Sequence, residues 1–124
     1  MEINLNCDLG ETSKFCSTQN DAKLLEIVNT ANIACGYHAG DVKTMRNTIR
    51  TAKKNKVSIG AHPSFDDREN FGRKRINLEN SEIEKLIIDQ LQVISQIAQE
   101  ENYPITHVKP HGALNNMACE NYEI

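Results

Sequence analysis

The chain has 124 residues and a formal net charge of −3, which suits a single domain and excludes several classes of function. Nucleic acid is not an expected partner, because phosphate binding needs clustered Lys and Arg. No membrane span is expected, since no apolar run approaches roughly 18 residues. No secretory signal is expected either, because residues 1–6 have no basic stretch followed by an apolar run. The four cysteines form no Cys-x-x-Cys pair, which predicts free thiols in a reducing cytoplasm. Cys7 and Cys35 are interpreted as small buried residues rather than nucleophiles.

Strand and helix patterns alternate along the chain, with four of each. Ile3, Leu5 and Cys7 alternate with polar residues and predict a first strand, which Asp8-Leu9-Gly10 ends. The other predicted strands are short, and they span residues 30–35, 57–60 and 105–108. The predicted helices follow the strands, and they span residues 21–28, 41–55, 81–102 and 113 onward. This alternation is typical of a parallel α/β fold.

Local signals mark where two of the helices begin. Asp41 is the expected N-cap of the second helix, because its short carboxylate can accept from free backbone N–H groups. Ser81 and Glu84 fit a Ser-x-x-Glu capping box and predict the start of the third helix. The positions expected to face the core recur at helical spacing, and they are Val42, Met45, Ile49 and Ala52, then Ile83, Leu86, Ile87, Leu91, Ile94, Ile97 and Ala98.

Four successive βα units imply parallel strands with right-handed crossovers within one domain, residues 1–124. Two architectures fit this pattern, a four-stranded sheet covered on both faces or half of a barrel of roughly eight strands. The pattern alone leaves the choice open. A long polar loop over residues 62–78 is expected to be functional or mobile, because compact domains seldom contain loops of that length.

Polar segments follow all four predicted strands, at the end where parallel α/β folds place their active sites. Each carries a titratable side chain next to glycine or proline, and the segments span residues 6–11, 36–41, 60–63 and 109–112. His38, His62 and His111 occupy the same relative position in successive units. A lone histidine after a strand is usually structural, but three in register favour a catalytic or binding site. His107 lies inside a strand and is predicted to be structural.

Other residues near these strand ends have both a functional and a structural interpretation. Asp8 is either a general base or ligand anchor, or a turn residue that bonds its own backbone. Lys109 is a candidate partner for an oxyanion or phosphate, and Arg73 in the long loop either clamps an anion or is solvated. Asp41 caps its helix, whose start can also receive an anion. The histidines and Asp8 could ligate a divalent metal ion, which their spacing neither requires nor excludes.

Four blocks of the sequence resemble the signature of a known family. They are Leu-Asn-Cys-Asp-Leu-Gly-Glu (5–11), Asn-Ile-Ala-Cys-Gly-Tyr-His-Ala-Gly-Asp (32–41), Ile-Gly-Ala-His-Pro-Ser-Phe (59–65) with Asn-Phe-Gly-Arg (70–73), and His-Val-Lys-Pro-His-Gly-Ala-Leu (107–114). In length, order and spacing they resemble the LamB/YcsF family, to which the A subunit of 5-oxoprolinase belongs. The resemblance covers essentially the whole chain.

The resemblance implies a TIM-like barrel of the glycoside hydrolase/deacetylase type, of which residues 1–124 form the N-terminal half. It implies hydrolysis of 5-oxoproline (pyroglutamate) to L-glutamate, with ATP as co-substrate and the 5-oxoprolinase subunits B and C as partners. In such a reaction phosphorylation of the lactam oxygen would make a leaving group, a base would activate water and donors would hold the oxyanion. The residues expected in these roles are Asp8 or His62 as base, His111 and Lys109 as donors, and His38, Asp41 and Arg73 as binding residues for substrate or phosphate.

Members of the family are roughly twice as long as this chain, so the resemblance places further strands outside it. An incomplete barrel exposes strand edges and apolar helix faces. We therefore expect association with a separate C-terminal half or with another copy of the chain. Two further functions stay open, a half-barrel that binds partners without turnover and, by analogy with the superfamily, a metal-dependent deacetylase or sugar hydrolase.

Overall fold

A computed structural model describes residues 3–124, and its four strands pair side by side in chain order. The strands are β1 (Asn6–Leu9), β2 (Thr30–Ala34), β3 (Ser58–His62) and β4 (Ile105–Val108). Every neighbouring pair is parallel, which confirms the predicted parallel α/β fold. The carboxyl ends of all four strands therefore lie along one edge of the sheet.

Helices connect the strands and cover one face of the sheet. They are α1 (Asp21–Leu24), α2 (Val42–Lys54), α3 (Asn80–Glu100) and α4 (Gly112–Glu120), with a short 3-10 helix at Arg68–Asn70. The longest helices are α2 and α3, and each buries apolar residues. Across residues 3–124, none of these helices combines the length and the apolar character needed to cross a membrane.

The two faces of the sheet differ in chemistry because side chains alternate along each strand. On the covered face, Leu9, Ile33 and Ile59 are almost completely buried. They form one core with apolar residues of the two long helices, namely Met45, Ile49, Ala52, Ile94, Ile97 and Ala98. The opposite face carries polar side chains, among them Asn6, Asp8, Asn32 and His107. The core thus lies on one side of the sheet, and the polar face on the other side adjoins the carboxyl ends of the strands.

Several predicted boundaries are wrong by a few residues. β1 begins at Asn6 and includes Asp8 and Leu9, whereas Ile3 and Leu5 lie before it and are 78% and 50% exposed. Gly60 does not end β3, which continues to His62. The first predicted helix is regular only over Asp21–Leu24 and then continues as turns. In each case pairing with the neighbouring strand or packing on the core outweighed the local pattern.

The predicted capping box of Ser81 and Glu84 is also wrong. The N-cap of α3 is Glu79, so the helix begins two residues earlier than expected. The Glu82 carboxylate accepts a hydrogen bond of 2.8 Å from the backbone N–H of Glu79. This is the backward contact of a capping box, made by a pair shifted by two positions. Ser81 consequently lies inside the first turn.

Val42 of α2 is predicted to face the core, and its side chain is instead 52% exposed. It is the first residue of α2. The helix packs on the core through Met45, Ile49 and Ala52 further along, which are buried as predicted. Helical spacing therefore identifies the packed stripe but not the point at which the stripe reaches the end of the core.

The long loop after β3 has a polar composition, but two of its aromatic residues pack in the interior. Phe65 and Phe71 are both buried. The side-chain amide of Gln90 on α3 binds the backbone of Ser64 twice, accepting from its N–H at 3.0 Å and donating to its carbonyl at 2.8 Å. A buried amide with both of its groups satisfied fixes the backbone that it touches. The loop is therefore anchored where it leaves the sheet.

The Asp41 cap gives a direct test of the fold. The Asp41 carboxylate accepts a 2.7 Å hydrogen bond from the backbone N–H of Thr44, as an N-cap should. Removing it leaves that donor of α2 without its partner, so Asp41→Ala is expected to lower the free energy of unfolding by about 1 kcal/mol. Urea unfolding followed by circular dichroism measures this. Asp66→Ala, at an exposed loop position, is the control, and equal losses in both variants would contradict the capping role.

Candidate functional site

The histidines predicted at the strand ends converge at the carboxyl edge of the sheet. His62 is the last residue of β3, while His38 and His111 lie in the segments that follow β2 and β4. The rings of His38 and His111 are stacked, with centroids 3.9 Å apart and planes 8° from parallel. The His62 ring stands edge-on to both, at centroid distances of 5.5 and 4.9 Å. The structure therefore brings these three predicted residues into one cluster.

Glu11 is the fourth member of this group, which we call the histidine cluster (Glu11, His38, His62 and His111). Its Oε1 atom lies 2.9 Å from His38 Nε2, 3.7 Å from His62 Nε2 and 3.6 Å from His111 Nδ1. Glu11 lies in the first polar segment predicted from the sequence, but it is not among the predicted site residues. Its position just after β1, in the same place as the histidines of the later units, is the signal that could have identified it.

Two rings of the histidine cluster are anchored by backbone carbonyl groups. His62 Nδ1 lies 2.5 Å from the carbonyl oxygen of Lys109, and His111 Nε2 lies 2.8 Å from that of Phe71. These contacts turn the remaining nitrogens, His62 Nε2 and His111 Nδ1, towards each other at 3.0 Å. The third ring, His38, contacts Glu11 through Nε2, and its buried Nδ1 has no hydrogen-bond partner within residues 3–124.

Burial sets the protonation of the histidine cluster. It lowers the pKa of both His38 and His62 to about 4. It also lowers the pKa of His111 and raises the pKa of Glu11, because a buried charged form loses its hydration. All three imidazoles are therefore neutral at pH 7, and each offers one nitrogen lone pair. A group of three neutral imidazoles and one carboxylate suits proton transfer or the binding of a metal ion.

Asp8 and Lys109, both predicted site residues, form an ion pair beside the cluster. Lys109 Nζ lies 2.6 and 2.8 Å from the two Asp8 carboxylate oxygens. Asp8 Oδ2 also lies 3.5 Å from His62 Nε2. Burial raises the pKa of Asp8, but the hydrogen bonds from Lys109 and Asn32 and the nearby His62 ring together bring it below its ordinary value. Asp8 is thus ionised, and Lys109 is held by it.

One rung of the sheet carries a polar network from β4 to Asp8. Asp8, Asn32, Gly60 and His107 are successive partners across the four strands. His107 Nε2 lies 2.7 Å from Asn32 Oδ1, and Asn32 donates at 2.9 Å to Asp8 Oδ1. The ring of His107 occupies the space over Gly60, where an added Cβ would collide with it. His107 is in a strand as predicted, and it also connects to the site through Asn32, which sequence reasoning does not single out.

The end of the long loop closes over the histidine stack. The Phe71 ring packs edge-on against His38 and His111, at centroid distances of 5.3 and 5.0 Å. Gly72 has φ +64°, and a Cβ there would come within 2.9 Å of the Cβ of His38. Only glycine allows both this backbone conformation and this close approach. The Arg73 guanidinium lies 5.3 Å from the Phe71 ring centroid, which places this predicted binding residue at the rim of the site.

Asp41 and the two cysteines, Cys7 and Cys35, are candidates that are not members of the histidine cluster. Asp41 is exposed and its carboxylate binds the first turn of its own helix, so the structure supports its capping role directly. Cys35 is buried, and burial raises the pKa of its thiol to about 12. Burial also raises the pKa of the Cys7 thiol. Neither cysteine is a ready thiolate at neutral pH, which agrees with their interpretation as packing residues.

Comparison with known proteins connects this site to one family. The model of the LamB/YcsF family matches residues 3–124. The A subunit of 5-oxoprolinase from Azoarcus sp. is 48% identical over 124 residues, which are 100% of this chain and 48% of the relative. The A subunit of 5-oxoprolinase from Staphylococcus epidermidis is 46% identical over 124 residues, again 100% of this chain and 49% of the relative.

The fold also matches that of a solved structure. The crystal structure of a lactam utilization protein from Thermus thermophilus aligns with a TM-score of 0.93 at 36% identity. The alignment covers 99% of this chain and 50% of that chain. The match agrees with the predicted TIM-like barrel type of α/β fold. The chain spans about half the length of the curated relatives it matches.

The ion pair of Asp8 and Lys109 predicts a measurable shift. Without Lys109, burial acts on Asp8 with less compensation, so Lys109→Met is expected to raise the pKa of Asp8. Carboxyl ¹³C NMR titration of Asp8 measures the change. Lys14→Met is the matched control, since Lys14 pairs with Glu69 on the surface. An Asp8 pKa that is the same in Lys109→Met and the wild type would show that the pair does not hold in solution.

The buried histidines predict acid sensitivity of the metal-free protein. His38 and His62 have a pKa of about 4 in the folded chain against 6.5 for an ordinary histidine. Between these values the unfolded state binds protons that the folded state excludes, so stability is complete above about pH 6.5 and falls towards pH 4. Among the groups that face them, His111 acts in the same direction, whereas Glu11 acts oppositely because its pKa is raised. Asp8, with its lowered pKa, contributes only at more acidic pH.

Thermal melts in the presence of a chelator, at pH values from neutral to acidic, measure this dependence. The melting temperature is expected to fall as the pH drops from the ordinary histidine pKa of 6.5 towards about 4. In His62→Gln the decline should be shallower, because one of the two strongly shifted groups is gone. A melting temperature that stays level across this window would mean that the rings are not buried in neutral form.

Proposed function

Since the chain belongs to the LamB/YcsF family, we propose that it contributes the hydrolytic site for ring opening of 5-oxoproline to L-glutamate, within a complex that contains subunits B and C. The names of its relatives, which are 5-oxoprolinase A subunits and a lactam utilization protein, support a lactam substrate and a multi-subunit enzyme. ATP is the proposed co-substrate, because a lactam carbonyl is a poor electrophile and phosphorylation of its oxygen activates the ring carbon.

The observation that carries this proposal is the convergence of three neutral imidazoles and two carboxylates at the carboxyl edge of a parallel sheet. Opening an activated lactam requires a base for water and a cation for the developing negative charge. Neutral imidazole is a suitable base near pH 7. The ammonium group of Lys109 provides the cation beside the histidine cluster.

In the metal-free histidine cluster, His62 is the base that the geometry supports best. The Lys109 carbonyl accepts from its Nδ1, so Nε2 is the nitrogen that can accept a proton. Nε2 lies near both Glu11 and Asp8, and either carboxylate stabilises the imidazolium that would form. Asp8, the other candidate, is a weaker base because its lowered pKa reflects an ionised form already held by Lys109.

The contacts of His111 argue against its expected role as a hydrogen-bond donor. Its Nε2 faces the Phe71 carbonyl, and therefore its Nδ1, which faces the histidine cluster, is an acceptor. Lys109 keeps the role of donor to an oxyanion or phosphate. His38 and Arg73 remain the proposed contacts for substrate, His38 inside the cluster and Arg73 at its rim.

In the proposed step, the oxygen of a water molecule bonds to the activated ring carbon while His62 accepts its proton. The ring C–N bond then breaks, and the nitrogen takes that proton from the His62 imidazolium and becomes the amine of the product. The phosphoryl group stays on the new carboxyl oxygen until a second water displaces it, which leaves L-glutamate and phosphate.

We further propose that the chain forms the N-terminal half of a barrel and works together with a second half. The outer edges of β1 and β4 are unpaired within residues 3–124. Polar residues on the open face, such as Asn6, Ser58 and Thr106, are exposed. A separate C-terminal half or another copy of the chain would pair these edges and cover this face.

The catalytic assignment predicts large losses of turnover. His62→Ala is expected to reduce glutamate formation roughly 10²–10⁴-fold, the usual contribution of a general base. His111→Ala is expected to be impaired as well, because its ring packs against the base. The assay is 5-oxoproline-dependent ATP hydrolysis and glutamate release by the purified chain with subunits B and C. Lys85→Ala, an exposed change on α3, should stay at the wild-type rate, and activity that survives His62→Ala would refute the assignment.

A further inference from the structure

Hydrogen-bond partners determine which nitrogen of each ring carries a proton. The carbonyl oxygens of Lys109 and Phe71 can only accept, so His62 must carry its hydrogen on Nδ1 and His111 on Nε2. The other nitrogen of each neutral ring then bears a lone pair. Since those two nitrogens, His62 Nε2 and His111 Nδ1, lie 3.0 Å apart, two lone pairs face each other inside the protein.

Glu11 adds negative charge to the same point. Its Oε1 lies 3.7 Å from His62 Nε2 and 3.6 Å from His111 Nδ1. The side chains of all three residues are largely or completely shielded from solvent. Buried electron-rich atoms with no proton or cation between them repel one another and are costly. The arrangement therefore calls for a positive charge at the centre of the histidine cluster.

The spacing of the four ligand atoms fits a metal ion better than a shared proton. A tetrahedral ion with bonds of about 2.0–2.1 Å separates its ligand atoms by about 3.4 Å. Four of the separations in the cluster are 2.9, 3.0, 3.6 and 3.7 Å, and all ligand atoms lie within 4.8 Å of one another. A proton shared by His62 and His111 would satisfy only the 3.0 Å contact.

The surroundings of the rings point the same way. Metal-binding histidines usually donate their second N–H to a carbonyl or carboxylate, as His62 and His111 do here. His38 is fully buried, stacks on His111 and directs Nε2 to Glu11. Three imidazoles with one carboxylate are the ligands of zinc and its neighbours in the transition series, whereas Mg²⁺ and Ca²⁺ prefer oxygen ligands.

We propose that Glu11, His38, His62 and His111 bind one divalent transition-metal ion, of which Zn²⁺ is the best match. Asp8 and Lys109 then lie beside the ion rather than on it, at the more exposed side of the site. In the ion-bound cluster His62 Nε2 is a ligand and is no longer free to accept a proton, so Asp8 is the remaining candidate for the base of the proposed reaction. Ion binding itself is measured without substrate, ATP or partner subunits. Failure of either proposal can thus be told from failure of the other.

Metal binding is tested on the full chain after treatment with a chelator and removal of that chelator. Titration with Zn²⁺ by calorimetry and metal analysis should give one ion per chain, with a rise in melting temperature. Co²⁺ should give the visible absorption of a four- or five-coordinate ion with nitrogen ligands. Glu11→Gln and His62→Ala should each weaken Zn²⁺ binding by more than about 100-fold, beyond the 10–100-fold typical of residues behind the ligands.

Two controls keep the result specific. Cys119→Ser removes an exposed thiol that could capture Zn²⁺ adventitiously, and it should bind Zn²⁺ as the wild type does. Glu11→Gln preserves size and shape, so its circular dichroism and melting temperature in chelator establish that it is folded even where His62→Ala is not.

Three results would overturn the proposal. One is the absence of stoichiometric Zn²⁺ or Co²⁺ binding at micromolar concentration. Another is wild-type affinity in a folded Glu11→Gln variant. The third is a ¹⁵N NMR spectrum of the chain, recorded with Zn²⁺ present at neutral pH, in which His62 or His111 is an imidazolium, because a proton would then occupy the place assigned to the ion.

Discussion

The parallel pairing of four strands in chain order is the constraint on which the site depends. Because every strand points the same way, each connecting segment leaves the sheet at the same edge. Glu11, His38, His62 and His111 come from four different βα units, yet their ligand atoms lie within 4.8 Å of one another. Any change in strand order would separate them, and no local feature of one unit could assemble the cluster.

Burial keeps the imidazole rings of the histidine cluster neutral, and it also makes the close approach of their lone pairs unfavourable. Polar rings in a dry environment are normally hydrogen-bonded, and for His62 and His111 the backbone carbonyls of Lys109 and Phe71 meet that need. Those same bonds point the free lone pairs inward, where they face each other and Glu11. The groups that stabilise each ring individually thus make the centre of the cluster electron-rich. The site is organised to hold a positive charge whether a substrate is near or not.

The general arrangement could be predicted from the sequence because it follows from periodicity. Alternating β and α patterns predict a parallel sheet, and a histidine at the end of three strands predicts where the site lies. These inferences need only the direction of the chain at each strand end. For the same reason His38, His62 and His111 could be singled out as candidates, and the structure places their rings in one cluster.

What could not be predicted depends on contacts between units. Glu11 looks like any acidic residue in a loop until the rings of three other units close around it. His107 looks structural because it lies within a strand, and its link to Asp8 requires both Asn32 on another strand and the missing side chain at Gly60. The start of α3 illustrates a smaller difficulty, since Ser81 and Glu84 fit the capping-box pattern whereas Glu82 makes the contact, to the backbone N–H of Glu79.

One part of the site is closed to solvent and the other part is open. The two parts differ in whether they require a partner that packs against the chain. The closed part is the histidine cluster, where His38 is completely buried beneath Phe71 and Gly72 and His62 is 1% exposed. The open part is the pair of Asp8 and Lys109, whose side chains are 33% and 45% exposed. Residues of this chain alone already shape the closed part, so ion binding there should not require a partner.

The open part faces the polar side of the sheet, which no layer within residues 3–124 covers. Electrostatic stabilisation of a developing charge is strongest where water is excluded. The electrostatic interaction between Asp8 and Lys109 is therefore the part of the site that would be strengthened most if another half of a barrel covered that face. The imidazole and carboxylate groups of the cluster are organised by the fold of this chain, whereas the electrostatic environment of Lys109 would change with any layer that packed against the open face.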